Sequence, residues 1–389
     1  MVSRFAMIAV AGGLMGISAM PAFAADLGGG CCGDLEERVA ELEATVARKG
    51  NRVVSLQIYG EVSKGLLIYD NGKESDALVT DNDAIGTLIG IKGEAKIAPG
   101  WKAGYKLEFA FQTDVSSVVD ESKKGDDNTN FSIRHNFLYV ESERWGRISV
   151  GQTSTASDGA AEVQIANTLA VGSPDQGGGF HPGGFVTAGL NKSISLNDAA
   201  SDFDGGRNDI VRYDSPTIYG FTASAAWGDN DYWDVALRFA KQFNSVKVAA
   251  AIAYADDQQT GTGADFTQLI GSATAMHIPT GLFIMAAAGE RNFENDVDGK
   301  FWFVQGGIER KWLPYGNTTI YAEYGNYDNV SGGDTNANMW GLGVVQHIDA
   351  AALDLYAQAR FWDVEDNSAG RLSDGGDLNT VMIGANMAF

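Results

Sequence analysis

The sequence predicts an all-β protein, a transmembrane antiparallel β-barrel of about 16 strands. Three observations carry that expectation. Segment after segment alternates apolar and polar residues, connections alternate between short and long, and the final nine residues form an amphipathic strand ending on Phe389. In Val381-Met-Ile-Gly-Ala-Asn-Met-Ala-Phe389 the odd positions are apolar, while Gly384, Asn386 and Ala388 are small or polar. Because successive strand side chains point to opposite faces, such a segment has one oily and one water-tolerant face. A wall between lipid and an aqueous interior needs that division.

The elements follow in chain order. Arg4 precedes an apolar stretch from Phe5 to Met20, and Ala22-Phe23-Ala24 supplies a small-residue cleavage pattern, so residues 1–24 read as a secretory signal peptide. Beyond them no apolar run reaches the roughly 18 residues of a spanning helix, so a membrane crossing must use a closed sheet. Residues 25–50 form a separate N-terminal segment. Within it, Asp34 and Glu37 make a capping pattern, and Leu35, Val39, Leu42 and Val46 form a short apolar seam. That helix, Asp34–Arg48, reads equally as a trimerising or docking element and as an amphipathic helix lying on its own barrel. The adjacent Cys31 and Cys32 provide no fold-stapling framework, which leaves an intersubunit disulfide or acylation of Cys31 open.

Residues 51–389 carry the barrel. From Val53 the period becomes two. Leu56, Ile58 and Val62 alternate with Gln57, Tyr59 and Glu61; Trp101, Tyr105, Leu107, Phe109 and Phe111 alternate with Lys102, Lys106, Glu108 and Gln112. Phe221–Trp227, Trp233–Phe239 and Leu353–Phe361 repeat the scheme, whereas Phe266–His277 alternates poorly. Short turns are expected at Ala98-Pro99-Gly100, Glu143–Trp145, Asn244-Ser245, Pro279-Thr280 and Pro314–Gly316. Long polar loops are expected at Asp70–Asp83, Asp114–Asn130, Thr153–Gly206, Asp256–Asp265, Glu290–Gly299, Asp328–Asn336 and Asp363–Gly376. Thr153–Gly206 is much the longest, and a loop of that length is expected to be functional. Folded inside, it would narrow the channel of a wide barrel; folded outside, it would be an external flap.

These residues resemble the general porins of Gram-negative outer membranes. The likeness rests on Ile58-Tyr-Gly-Glu-Val-Ser-Lys-Gly65, Ile89-Gly-Ile-Lys-Gly-Glu94, Gly146-Arg-Ile-Ser-Val-Gly-Gln152 ahead of the longest loop, Arg212-Tyr-Asp-Ser-Pro216, and the terminal Phe389. Cys31–Ala44 looks like the alphaproteobacterial branch. The resemblance implies a homotrimer of 16-stranded barrels in the outer membrane, a short periplasmic helix, and an inward third loop (153–206) as the constriction. It also implies Phe389 as the signal read by the barrel-assembly machinery, and contact with lipid and lipopolysaccharide. By position, the loop acids are Asp158, Glu162 and Asp175, and the facing basic wall is Lys92, Lys106, Arg134 and Arg212. Leu88 stands where many relatives have arginine, which weakens that wall.

Charge bears on function independently of the likeness. Removing residues 1–24 takes away one Arg and no acid, leaving 27 basic and 50 acidic residues, a formal charge of −23. Such a chain repels nucleic acid and favours cations. Opposed charges across a narrow gap order water and favour small hydrophilic solutes, so passive diffusion with mild cation selectivity is expected. The four histidines, His135, His181, His277 and His347, sit in no nucleophile or metal-ligand spacing, so neither catalysis nor a cofactor is expected. A solute-specific channel, a barrel enzyme and a cell-wall tether are the rivals. Acidic loops at Asp328–Asn336 and Asp363–Asp366 read as solvated surface rather than a calcium site.

Overall fold

Alternating side chains build a closed sheet whose outside is apolar. In the computed structural model the described residues are 54–121, 130–174, 195–229, 231–258, 265–294, 297–366 and 376–389. The leader, residues 25–50 with the Asp34–Arg48 helix, and Asp175 lie outside them. Residues Lys49–Phe389 form one compact unit. Its strands are β1 (Gln57–Asp70), β2 (Ser75–Asp81), β3 (Leu88–Ala98), β4 (Trp101–Gln112), β5 (Asn130–Ser142), β6 (Gly146–Ser154), β7 (Arg207–Asp214), β8 (Phe221–Gly228) and β9 (Trp233–Phe243). They continue with β10 (Val246–Asp257), β11 (Phe266–His277), β12 (Leu282–Phe293), β13 (Gly299–Leu313), β14 (Gly316–Asp328), β15 (Thr335–Ile348), β16 (Leu353–Asp366) and β17 (Gly376–Ala388). One helical turn, α1 (Leu196–Ala199), precedes β7.

From β3 to β17 each strand pairs antiparallel with the next, and β17 returns to β1 from Glu61↔Ala388 to Asp70↔Asn379. The ladder is therefore closed. The seam ends on a reciprocal pair, the Gly60 amide donating to the Phe389 carbonyl (3.0 Å) and the Phe389 amide to the Gly60 carbonyl (2.9 Å). Although the sheet has 17 segments, β2 and β3 share one position. β2 pairs with the far half of β1 (Lys64↔Asp81 to Asp70↔Ser75), and β3 pairs with its near half (Gln57↔Lys92 to Glu61↔Leu88). The barrel thus has 16 staves, the second broken by an excursion over residues 82–87.

That break corrects the expected loop Asp70–Asp83, since Ser75–Asp81 within it is strand. Its composition (Ser75, Asp76, Thr80, Asp81) reads as loop, and only pairing with β1 makes it a strand. The break would orphan backbone groups where lipid cannot satisfy them, and side chains repair it. Thr87 Oγ1 accepts from the Ser63 amide (3.1 Å) and donates to Asp81 Oδ1 (2.6 Å), while Asp81 Oδ2 accepts from the Thr113 amide (2.5 Å) and Lys64 Nζ (2.6 Å).

The other expected connections hold to within a few residues. Pro99-Gly100 joins β3 to β4 with Gly100 at φ 74°, and Asn244-Ser245 joins β9 to β10 with Asn244 at φ 49°. Both values lie in the left-handed region that Gly and Asn tolerate best in tight turns. Phe266–His277, despite weak alternation, pairs along its full length with β10 and β12. Outward side chains stay exposed, as at Leu138 (67%), Ile284 (62%) and Leu342 (53%). Large exposed aromatics gather near strand ends and turns, including Trp145, Trp227, Trp312 and Tyr315, as girdles at two lipid–water boundaries do.

A seam packed this closely leaves no room at Gly60, where an added Cβ would fall 2.6 Å from both the Leu88 carbonyl oxygen and Phe389 Cζ. Gly60→Val is expected to cost about 1–3 kcal/mol through overpacking. Gly206→Ala, with nothing within 4 Å of the new carbon, should stay within about 0.5 kcal/mol. Urea unfolding of the detergent-solubilised barrel, followed by tryptophan fluorescence, compares the two.

Candidate functional site on the polar face

The chain between β6 and β7 has almost no regular structure of its own among the described residues, so its backbone groups need partners elsewhere. They find them on the polar face of the barrel. At the root, Thr155 N donates to the Gly206 carbonyl (2.9 Å). Arg212 holds the Asp214 carboxylate through Nε (3.0 Å) and Nη2 (2.7 Å), and its Nη1 reaches the carbonyls of Ser154 (2.9 Å) and Thr155 (2.7 Å). Next, the amide and hydroxyl of Ser157 both donate to Asp234 Oδ2 at 2.7 Å, and the Tyr232 hydroxyl donates to the same oxygen at 2.9 Å. Burial and the Asp234 charge push the Tyr232 hydroxyl well above the usual phenol range, which keeps it a donor.

The loop then runs past successive strands. Arg238 on β9 donates to the Asp158 carbonyl (2.7 Å), and Ser272 on β11 donates to the Ala160 carbonyl (2.7 Å). Glu309 on β13 accepts from the Asn167 amide (2.7 Å), and Gln305 donates to the Gly172 carbonyl (2.8 Å). Gln358 on β16 donates to Val171, and Arg360 donates to the Ser173 carbonyl (3.0 Å). From the broken stave, Asn82 Nδ2 donates to the Ala170 carbonyl (2.6 Å). Buried small residues Ala156, Ala160, Ala161 and Ala170 let this stretch lie close to the wall. Beneath it Arg360 and Glu323 form a 2.7 Å ion pair with side chains 1% and 0% exposed.

The strands from β3 to β6, with β1, carry a different surface. Glu108 is its hub. Its carboxylate accepts from the Tyr59 hydroxyl (2.6 Å) and pairs with Lys106 (2.9 Å) and Arg134 (3.0 Å), with His135 Nε2 at 3.8 Å. Arg134 and His135 are neighbours in sequence, yet both reach Glu108. The register between β4 and β5 jumps from Glu108↔His135 to Phe109↔Ile133, so Arg134 is the extra residue of a bulge. Closer to the short turns, Arg147 lies 3.9 Å over the Tyr139 ring and pairs with Glu141 (3.0 Å), while Lys102 contacts Glu94 (3.2 Å) and Glu141 (3.5 Å). Lys92 sits 5.0 Å over the Tyr59 ring.

Of the residues expected to form the site, Lys92, Lys106 and Arg134 share this surface. Arg212 does not join them, because Asp214 and the loop root occupy its guanidinium. Asp158 is half-buried with its carbonyl on Arg238, and Glu162 accepts from the Ser173 hydroxyl. Tyr356, Trp362 and Phe303 are all buried. Two residues escaped the reading. They are Arg207, at the start of β7, and Arg238 on β9, whose guanidinium donates to the Asp158 carbonyl. For Arg238 the signal was present, since it falls between outward Leu237 and Phe239 on the opposite parity.

A family model described as Gram-negative porin matches residues 6–367. The chain belongs to the Gram-negative porins. As a porin it is a multi-pass β-barrel of the outer membrane. Solved structures share its fold at low identity. The anion-selective porin from Comamonas acidovorans is 16% identical, with a TM-score of 0.59 over 86% of this chain and 100% of that one. OmpT of Vibrio cholerae in its trimer form is 18% identical, with a TM-score of 0.56 over 87% and 100%. Salmonella typhi OmpF in complex with daunomycin is 15% identical, with a TM-score of 0.53 over 88% and 99%. No curated protein matches this porin by sequence.

Removing one member of the sealed ion pair strands the other. Arg360→Met is expected to destabilise the porin by about 3–5 kcal/mol, and the double variant Arg360→Met/Glu323→Leu to recover most of that loss. Guanidinium unfolding midpoints of the two variants provide the check.

Proposed function

We propose that this porin is a passive diffusion channel for small hydrophilic solutes and ions, mildly selective for cations, and that residues 153–206 are its constriction. The observation that carries the reading is the run of hydrogen bonds joining residues 155–174 to polar-face side chains of β9, β11, β13 and β16. A loop held against that face takes up cross-section on one side and leaves the surface around Glu108 facing the remaining space. On this reading Asp158 and Glu162 edge the gap from the loop side, and Lys92, Lys106 and Arg134 edge it from the wall; Asp175, assigned to the loop acids by sequence alone, lies outside the described residues. A field across such a gap orders water and hinders apolar solutes more than hydrophilic ones. Arg212 serves this arrangement as the anchor of the loop root.

The proposed cation preference rests on the acidic excess, −23 after removal of the leader. Short turns face the periplasm and long loops the exterior, where lipopolysaccharide would meet them. A homotrimer agrees with the trimer form of the similar OmpT of Vibrio cholerae. We also place the chain in the alphaproteobacterial branch, with the Asp34–Arg48 helix on the periplasmic side, on the strength of its Cys31–Ala44 segment.

Planar-bilayer recording of the purified full chain tests this. Three equal conductance steps per insertion and a reversal potential favouring potassium over chloride are expected, and Arg134→Ser should move that potential further toward potassium. Silent membranes would overturn the channel, and a chloride-favouring potential the selectivity.

A further inference from the structure

The wall around Lys92 has more chemistry than a neutral diffusion path requires. A cavity of about 580 Å³ is lined there by residues that include Tyr59, Lys92, Lys102, Lys106, Tyr139 and Arg147, a volume within the range of small-molecule sites. Four cations and one carboxylate, Glu94, line it. Glu108 and Glu141 reach in to pair with Lys106, Lys102 and Arg147. Lys92 has no carboxylate partner among the described residues, and its ammonium rests over the Tyr59 ring at 5.0 Å.

The rings are held by design of the backbone. Tyr59 lies across Gly90 and Tyr139 across Gly104, where an added Cβ would fall 2.1 Å and 2.4 Å from the respective ring carbons. Glycine at both positions lets the phenols lie down on the wall, and Glu108 fixes the Tyr59 hydroxyl at 2.6 Å. The cavity therefore presents an ammonium with no carboxylate partner among the described residues, two immobilised rings, the guanidinium plane of Arg147, and Phe137. A bare anion would use the charge and leave the rings idle. A neutral solute would do the reverse.

We propose that this wall is a subsite for small organic anions with a flat apolar body, aromatic carboxylates being the simplest members. The carboxylate meets Lys92, and the attached ring packs among the aromatic side chains and the Arg147 plane lining the same cavity. The inference rests on the diffusion-channel reading and adds a preferred solute class to it. It is compatible with cation preference in salt, because one local ammonium does not offset the acidic excess of the whole chain.

Benzoate, acetate and benzamide separate charge from ring when each is added at constant ionic strength to single channels conducting potassium chloride. Benzoate should reduce the current saturably, with acetate and benzamide each weaker by about tenfold, as expected when one charge-assisted contact or one stacking face is missing. Lys92→Gln should weaken the benzoate block by about tenfold and Tyr139→Leu should weaken it several-fold, the block being read as a fraction of each variant's own potassium chloride current. Equal block by benzoate and acetate, equal block by benzoate and benzamide, or an unchanged block in Lys92→Gln would each overturn the subsite. A wild-type chain that never conducts would defeat the channel reading instead, so the two failures are distinguishable.

Discussion

Lipid offers no hydrogen-bond partners, and the barrel is arranged around that fact. Every backbone amide and carbonyl at membrane depth must be satisfied by the protein, so the last strand has to find the first. The β1–β17 ladder does this from Asp70↔Asn379 down to Glu61↔Ala388 and finishes with the reciprocal Gly60–Phe389 pair. The same constraint explains the chemistry at the one broken stave. Thr87, Asp81 and Thr113 replace ladder bonds with side-chain bonds where residues 82–87 leave the wall. It also explains Lys64, which carries a charge between outward Val62 and Leu66. Its partner Asp81 is fully buried, so the charge is compensated where it would otherwise be costly.

Closure then sorts the polar groups. The face turned from lipid carries two kinds of surface. On β9, β11, β13 and β16, Arg238, Ser272, Gln305, Gln358 and Arg360 donate to loop carbonyls, and Glu309 accepts from a loop amide. On β1 and β3–β6 the side chains answer one another around Glu108, leaving Lys92 without a carboxylate partner among the described residues. The first surface holds the backbone of residues 155–174, which has no regular structure of its own. The second keeps a set of charges on a rigid sheet, which is where precise positioning is best supported. The bulge at Arg134 contributes by turning two consecutive residues toward the same carboxylate.

Most of the strands were legible because the signals are local. Alternation and turn chemistry are read within ten residues, and Trp101–Phe111 or Leu353–Phe361 announce their outward faces without any knowledge of neighbours. The break at 82–87 was not legible, since Asn82 and Asp83 continue a polar run that reads as loop until its pairing with β1 is known. The bulge did leave a trace. Outward residues are odd at Phe131 and Ile133 but even at Leu138 and Val140, and a change of parity inside one strand requires an extra residue between them. For the site, parity put Lys92, Lys106 and Arg134 on one face. It could not show that Glu108 joins Lys106 to Arg134, because that depends on the register between β4 and β5. Nor could it show that Arg212 is spent on Asp214 two residues away.

The central claim is that alternate residues of one strand face lipid and water. Single cysteines introduced along β3 and β4, after replacement of Cys31 and Cys32 by serine, test it in native membranes with a membrane-impermeant, water-soluble thiol reagent. Positions 92, 94, 102 and 106 should react rapidly, and positions 91, 95, 105 and 107 slowly or not at all. Uniform reactivity along both strands, or the opposite alternation, would contradict the account.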